Sequence, residues 1–456
     1  MKFPYGISDF CKLIMEGHYY CDRTDFIPLL ENYGSYLLFI RPRRFGKSLL
    51  LSTLQHYYDV AKKDVFDMLF ANLAIGKNPT PLRNQYFVLK LDFSCVNPTG
   101  SVQDIQKSLY DHINMQIQGF SMYYKNFLPE KITIYPDNAM SSLSMLLSVA
   151  QQTSHRVYLL IDEYDNFANE VMMDAHEGRK NYEALLYDKG PLKTLFKSIK
   201  SFSTLDGIDR TFITGVSPVV MSDLTSGYNI AENLYLEPEF NTLCGFTESE
   251  TETVVASVSE ICGFSEQESL NVLNQMRIWY NGYIFSESSQ EKIYNPTLVL
   301  YFLKHLNKSC RQPDRMPDAN LAADQGKLQY ISQLPKGDQM ILDISNQGYT
   351  RVESQIADRF GMADMLSDFT KDNQFIASYL YYFGVLTMSG RNEKGELHLP
   401  IPNLVMRGLY VERIRRMLLP DPALRDDGIY AAKSLYQDGN IASACQFVEE
   451  HYFKIR

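Results

Sequence analysis

The sequence predicts an α/β protein: a parallel sheet with flanking helices, followed by a mostly helical, winged-helix-like region. Short apolar runs such as Val157–Ile161 have strand length and no polar face, as expected of strands covered by helices on both sides. These runs alternate with helical stretches, the order that builds a parallel sheet. Beyond about Leu243 the alternation stops and helical segments dominate.

The elements follow in order. Residues 5–35 read as a helical entry segment with turns, and Tyr36–Ile40 as a first strand leading into a helix over residues 49–58. Tyr86–Asp92 reads as a second strand, followed by a helix over Val102–Ile117. Val157–Ile161 is a third strand, Leu192–Phe202 a helix and Arg210–Gly215 a fourth strand. Thr247-Glu248-Ser249-Glu250 has the pattern of a capping box, a Thr N-cap with Glu three residues on, and so marks a helix start. Near 375–402 a helix precedes Gly384–Met388, a polar turn Ser389–Gly395 and Glu396–Ile401, the outline of a winged helix. Two short helices, Ala423–Gln437 and Ile441–Lys454, break at Asp438-Gly439-Asn440. The expected units are 1–242, 243–420 and a C-terminal helical connector, 421–456.

Bulk properties narrow the functional classes. The chain has 456 residues, too many for one ordinary core. No apolar run approaches the ~20 residues needed to span a bilayer, and the N-terminus lacks the apolar stretch of a signal peptide. A cytoplasmic protein with no membrane partner is expected. The seven cysteines, at 11, 21, 95, 244, 262, 310 and 445, have no zinc-ligand spacing, and reduced core thiols are expected. A net charge of −10 argues against a broad, non-specific grip on nucleic acid.

Gly46-Lys47-Ser48 follows a short apolar strand and opens a helix, the context of a phosphate-binding loop. Loop amides would face the β-phosphate, Lys47 would reach the β- and γ-oxygens, and Ser48 would ligate Mg²⁺. The usual pattern has Gly five residues before Gly46; here the run is Arg41-Pro42-Arg43-Arg44-Phe45-Gly46-Lys47-Ser48-Leu49. Its three arginines are read as positive charge around the phosphates of ATP. The third strand ends in Asp162-Glu163, at the sheet edge where open α/β folds bind ligands. Asp162 would hold Mg²⁺ through water, and Glu163 would orient and polarise the attacking water. Thr214, or Ser217 just beyond, would touch both the γ-phosphate and that water from a strand lying between the other two; a Thr capping its own backbone is the alternative. Asp165 is read as a second choice of base or as an anchor for a basic group.

These motifs, with Leu160-Ile161-Asp162-Glu163-Tyr164-Asp165 and Phe212–Pro218, resemble the AAA-ATPase-like family, common in gut bacteria. Further matches are Tyr20-Cys21-Asp22-Arg23-Thr24, Leu243–Thr247, Trp279–Tyr283, Tyr294-Asn295-Pro296 and Pro400–Asn403. The resemblance implies an ATP- and Mg²⁺-dependent hydrolase in which Arg41 is a family trait. It also implies that Tyr20–Thr24, with Asp22 and Thr24, lies near the nucleotide base. Relatives often carry a PD-(D/E)XK nuclease-like domain beginning about where this sequence stops, and no nuclease activity is expected here. The first functional reading is an ATP-driven switch in a mobile-DNA or defence setting, acting through a protein partner or self-association. The competing readings are a non-hydrolysing nucleotide-binding scaffold and a winged-helix DNA-binding regulator. For the latter, the basic stretch Arg407, Arg413, Arg415 and Arg416 reads first as a solvated helix face.

Overall fold

The computed structural model describes residues 1–172, 183–185, 190–204, 207–218, 229–318, 328–332, 334, 336–353, 355–357 and 372–453. Five strands form the main sheet: β1 (Tyr36–Ile40), β2 (Tyr86–Asp92), β3 (Arg156–Asp162), β4 (Ile208–Gly215) and the two-residue β5 (Glu232–Asn233). Their order is β2-β3-β4-β1-β5, and every pairing is parallel. Strands β1 to β4 are buried almost throughout, which is why their sequences carry no polar face. Helix Lys47–Tyr58 packs on β2 and β3, Val102–Tyr123 on β2, Ala139–Gln151 on β3 and Pro191–Thr204 on β4.

This order places β4 between β1 and β3. Ile40 at the end of β1 pairs with Gly215 of β4, and Ile161 of β3 pairs with Ile213. Three chain ends that carry chemistry, after Ile40, at Asp162 and at Thr214, therefore meet at one sheet edge.

Past residue 243 the chain is mainly helical: Glu248–Cys262, Glu266–Tyr280, Pro296–Ser309, Gly337–Gln347, Asn373–Tyr382, Leu404–Leu418, Pro422–Asp438 and Ile441–Val448. The capping box at Thr247 is present in both halves, Thr247 N–H donating to Glu250 Oε2 at 2.8 Å and Glu250 N–H to Thr247 Oγ1 at 3.3 Å. One buried apolar core runs continuously from the sheet into these helices as far as Leu404–Leu418. Residues 387–391 do face 397–400, with Thr387 N–H donating to Pro400 O and Ser389 N–H to His398 O. A strand the sequence did not reveal completes the group: β6 (Tyr349–Val352) pairs antiparallel with β7 (Leu397–Pro400).

The expectation for the cysteines is corrected. Cys262 and Cys310 are bridged, and of the remaining five only Cys244 is buried while Cys95 and Cys445 are exposed. Their separation of 48 residues hides the pairing; the C-terminal ends of two packed helices bring the Cα atoms to 5.5 Å.

Candidate nucleotide-binding site

The loop from Arg41 to Gly46 joins β1 to helix Lys47–Tyr58. Its left-handed residues are Arg44 (φ 68°) and Gly46 (φ 92°); Arg41 is not among the positive-φ residues. That removes the reason for glycine at position 41, because the turn is made three residues later. The Arg41 side chain does not face the loop. It is 1% exposed, and its guanidinium donates to Ile40 O (2.9 Å), Tyr235 O (2.8 Å) and Phe240 O (2.8 Å), between the rings of Phe39 and Phe285. Burial lowers its pKa to about 10. The reading of Arg41 as charge around the phosphates is therefore corrected: its side chain fastens the segment after β5 to the back of the loop.

The helical region grips the loop as well. Phe45 is buried edge-on against Tyr283 (4.9 Å) and Phe285 (5.3 Å). Thr297 Oγ1 donates to Arg44 O at 2.9 Å. Gly384 has φ 76°, and a Cβ there would stand 2.7 Å from Pro42, so that approach admits no side chain. Arg43 donates to Asn166 Oδ1 and lies 3.8 Å from Glu170, beside the acidic turn.

Lys47 is nearly inaccessible and donates from Nζ to its own loop, Arg41 O and Pro42 O, both at 3.0 Å. Burial lowers its pKa, opposed by Glu163, Asp162 and Asp165 nearby. A lysine satisfied by neutral carbonyls exchanges them readily for phosphate oxygens, which offer a charge-assisted contact. At the end of β3, Asp162 is buried and accepts from Thr214 Oγ1 at 2.6 Å. Thr214 thus joins β4 to the acidic strand, so its hydroxyl does not cap its own backbone. Glu163 turns at φ 49° into the cavity that Lys47 and Ser48 also line. Burial raises its pKa, and Lys47 and Arg43 oppose the rise.

Among the described residues Asp165 anchors no basic group. Its fully buried carboxylate accepts from Val216 N–H (3.0 Å), Ser217 N–H (2.8 Å), Ser217 Oγ (3.0 Å) and Asn169 Nδ2 (2.8 Å). Tyr164 adds its hydroxyl to Ser217 O at 2.6 Å and its N–H to Thr214 O at 3.0 Å. Ser217 is accordingly engaged in clasping the exit of β4, which leaves Thr214 as the hydroxyl at the acidic strand.

A cavity of about 300 Å³ extends from Gly46, Lys47, Ser48 and Glu163. Phe45, Arg44 and Leu49 contribute to its wall, as do the N-terminal residues Tyr5, Tyr19 and Tyr20 and the helical-region residues Leu243, Phe246 and Leu300. Tyr19 and Phe246 stack at 6.1 Å. Arg23 closes this wall with a two-pronged ion pair to Glu250, Nη2 to Oε2 at 2.7 Å, and donates to Gly245 O at 2.7 Å. Asp22 and Thr24 are absent from the lining. Asp22 accepts from Thr24 and Ala74 N–H, and Thr24 Oγ1 accepts from Ile75 N–H, so both residues hold the turn at Ala74–Lys77 instead of a ligand. Sequence reasoning missed the walls at Pro4–Ser8 and Pro296–Leu300; the matching run Tyr294-Asn295-Pro296 pointed toward the second without giving its role.

Asp162 and Ser48 are hard oxygen donors suited to Mg²⁺. Among the described residues no cluster of three His, Cys, Asp or Glu side chains forms a self-sufficient metal cage.

A parallel sheet in this order, a Gly-Lys-Ser loop after β1 and an Asp-Glu pair at the end of β3 define a P-loop NTPase fold. Residues 4–225 match the model of the AAA-ATPase-like family, described as predicted AAA-ATPases. An uncharacterized protein in the vnfD 5′ region of Azotobacter chroococcum mcd 1 is 27% identical over 308 residues, 66% of this chain and 52% of its own length. The chain thus spans about half the length of that curated relative. Among solved structures, the Walker-type ATPase PABY2304 of Pyrococcus abyssi aligns with a TM-score of 0.49 at 9% identity, over 85% of this chain and 94% of its own. The Aeropyrum pernix ORC1 protein, solved in complex with DNA, aligns with a TM-score of 0.29 at 9% identity, over 90% and 94%. Among the described residues no helix is long and apolar enough to cross a membrane. The basic stretch on helix Leu404–Leu418 is partly countered internally, Glu412 pairing with Arg415 at 3.3 Å and Arg416 at 3.1 Å.

Proposed function

We propose that this chain binds ATP with Mg²⁺ and hydrolyses it, using the nucleotide state as a switch between the sheet and the helical region. The observation that carries the reading is the Thr214–Asp162 hydrogen bond between adjacent strands, beside a Glu163 that shares one cavity with Lys47 and Ser48. Lys47 leaves the Arg41 and Pro42 carbonyls for the β- and γ-phosphate oxygens. Ser48, and Asp162 through water, hold Mg²⁺, which supplies charge neutralisation at the phosphates. Glu163 orients a water molecule toward the γ-phosphorus and accepts its proton as ADP leaves. Its raised pKa brings its basicity nearer to the working range of a general base. The base is proposed to lie against the aromatic wall that the stacked Tyr19 and Phe246 rings help to form.

The switch reading rests on the grip of Tyr283, Phe285, Thr297 and Gly384 on the loop, since loop movement is then felt in the helices. The strand–helix–hairpin group around β6 and β7 is proposed as a winged-helix-like output module, within units near 1–242, 243–420 and 421–456. A setting in mobile DNA or defence, a cytoplasmic location and a protein or self-associating partner belong to the same proposal.

The test is steady-state phosphate release, with and without DNA, for the parent and Glu163→Gln. ATP should still bind the variant while turnover falls by roughly 10²–10⁴. Unchanged turnover would remove Glu163 from the chemistry. ATP binding without phosphate release by the parent would favour the scaffold reading.

A further inference from the structure

We propose that Cys262 and Cys310 form a reversible thiol–disulfide site that clamps the helical wall of the nucleotide cavity. The proposal rests on the nucleotide reading above for its consequence, though not for the bridge itself. Cys262 ends helix Glu248–Cys262, and Cys310 caps helix Pro296–Ser309. The two helices pack against each other; the second starts in the cavity lining, and the first follows directly on the lining residues Leu243–Phe246. The first begins at Thr247 and Glu250, where Glu250 holds Arg23 of the wall. The second begins at Asn295, with Pro296 and Leu300 in the lining and Thr297 on the Arg44 carbonyl. A 15-residue helix is ~22 Å long, so the bridge sits about that far from the ligand and touches none of it.

The closed segment also contains Tyr283 and Phe285, which back Phe45 of the phosphate loop. One covalent bond therefore closes the stretch that carries the aromatic backing of the loop, the Thr297 contact and part of the cavity wall. Cys310 is exposed and Cys262 partly so, which leaves the bridge open to exchange. The co-reactant is a small-molecule disulfide. The Cys310 thiolate attacks one of its sulfurs and releases one thiolate. The Cys262 thiolate then attacks the Cys310 sulfur of the mixed disulfide and releases the second. The two protons lost by the cysteine thiols end on the two released thiolates, which leave as thiols carrying the two electrons. A dithiol reductant reverses both steps. Bridged, the wall is preorganised and nucleotide binds more tightly; opened, the helices regain freedom that binding must remove.

The experiment uses the full chain, oxidised with oxidised glutathione or reduced with dithiothreitol, beside Cys262→Ser and Cys310→Ser. Peptide mapping under non-reducing conditions should find the 262–310 link in the oxidised protein only. Without nucleotide, amide exchange at 243–247 and 296–300 should be slower in the oxidised protein. With Mg²⁺-ATP, the oxidised form should bind at least about fivefold more tightly, and both serine variants should match the reduced form under either treatment. A missing link overturns the proposal, as does a link that leaves exchange unchanged. Redox sensitivity surviving in Cys262→Ser overturns it too, by assigning the effect to another cysteine. If neither form binds ATP, the nucleotide reading has failed, and the exchange comparison decides the clamp alone.

Discussion

Replacing Arg41 with glycine restores the residue most phosphate-binding loops carry there, and the structure predicts that this harms the protein. The Arg41 guanidinium donates to three carbonyls, and two of them, Tyr235 O and Phe240 O, lie beyond β5, about two hundred residues along the chain. Arg41→Gly leaves those acceptors in a water-poor place, at about 1–3 kcal/mol each. It also removes the contacts to Phe39 and Phe285 and opens a void where a whole side chain stood. Relief of the buried charge, which already lowers the pKa to about 10, offsets part of this. The net loss should be about 3–5 kcal/mol, in line with removing one partner from a buried charged contact. Glycine gains nothing in return, because the loop's left-handed residues are Arg44 and Gly46. Urea unfolding followed by circular dichroism measures the loss, and ATP titration well below the midpoint separates folding from binding. A variant as stable as the parent but weaker for ATP would refute this account and return Arg41 to the phosphates.

Lys47→Ala should weaken ATP binding by the value of a charge-assisted contact, ~1.5–3 kcal/mol, and equal affinity by calorimetry would displace the phosphate site. Asp165→Asn turns an acceptor-only carboxylate into a group that sets an N–H₂ against the Val216 and Ser217 donors. It should cost about 2–4 kcal/mol and lower turnover through misplaced Thr214; a chemical-denaturation midpoint like the parent's would sink the clasp. Turnover should fall as pH drops through the Glu163 pKa, because the base must be deprotonated, and burial moves that acid limb above the ordinary carboxylate range. A limb at the ordinary carboxylate value, or one still present in Glu163→Gln, would assign it to another group.

Local features were readable from the chain alone. Strand runs show because a strand buried on both faces must be apolar over its whole length, as in Val157–Ile161. The Thr247–Glu250 capping box shows because its partners lie three residues apart. Gly46-Lys47-Ser48 and Asp162-Glu163 show for the same reason: each is a short piece whose spacing is set by the backbone of one turn. The place of the fourth strand between the first and third was an expectation taken from other ATPases with an acid after the Mg²⁺ aspartate, and the strand order agrees with it.

Only the tertiary structure decided which way side chains face and what distant segments bring. Arg41 reads as phosphate-facing in a basic run, yet carbonyls from beyond β5 and the ring of Phe285 draw it inward. Asp22 and Thr24 sit one residue either side of Arg23, which does line the cavity, but their groups are consumed by a helix start some fifty residues later. Asp165 meets the exit of β4 across about fifty residues, and Cys262 meets Cys310 across 48. A sequence records the chemistry of each residue and the geometry of its near neighbours. Burial and pairing arise from chain segments whose approach is set by the packing of the whole, and no local spacing encodes that approach.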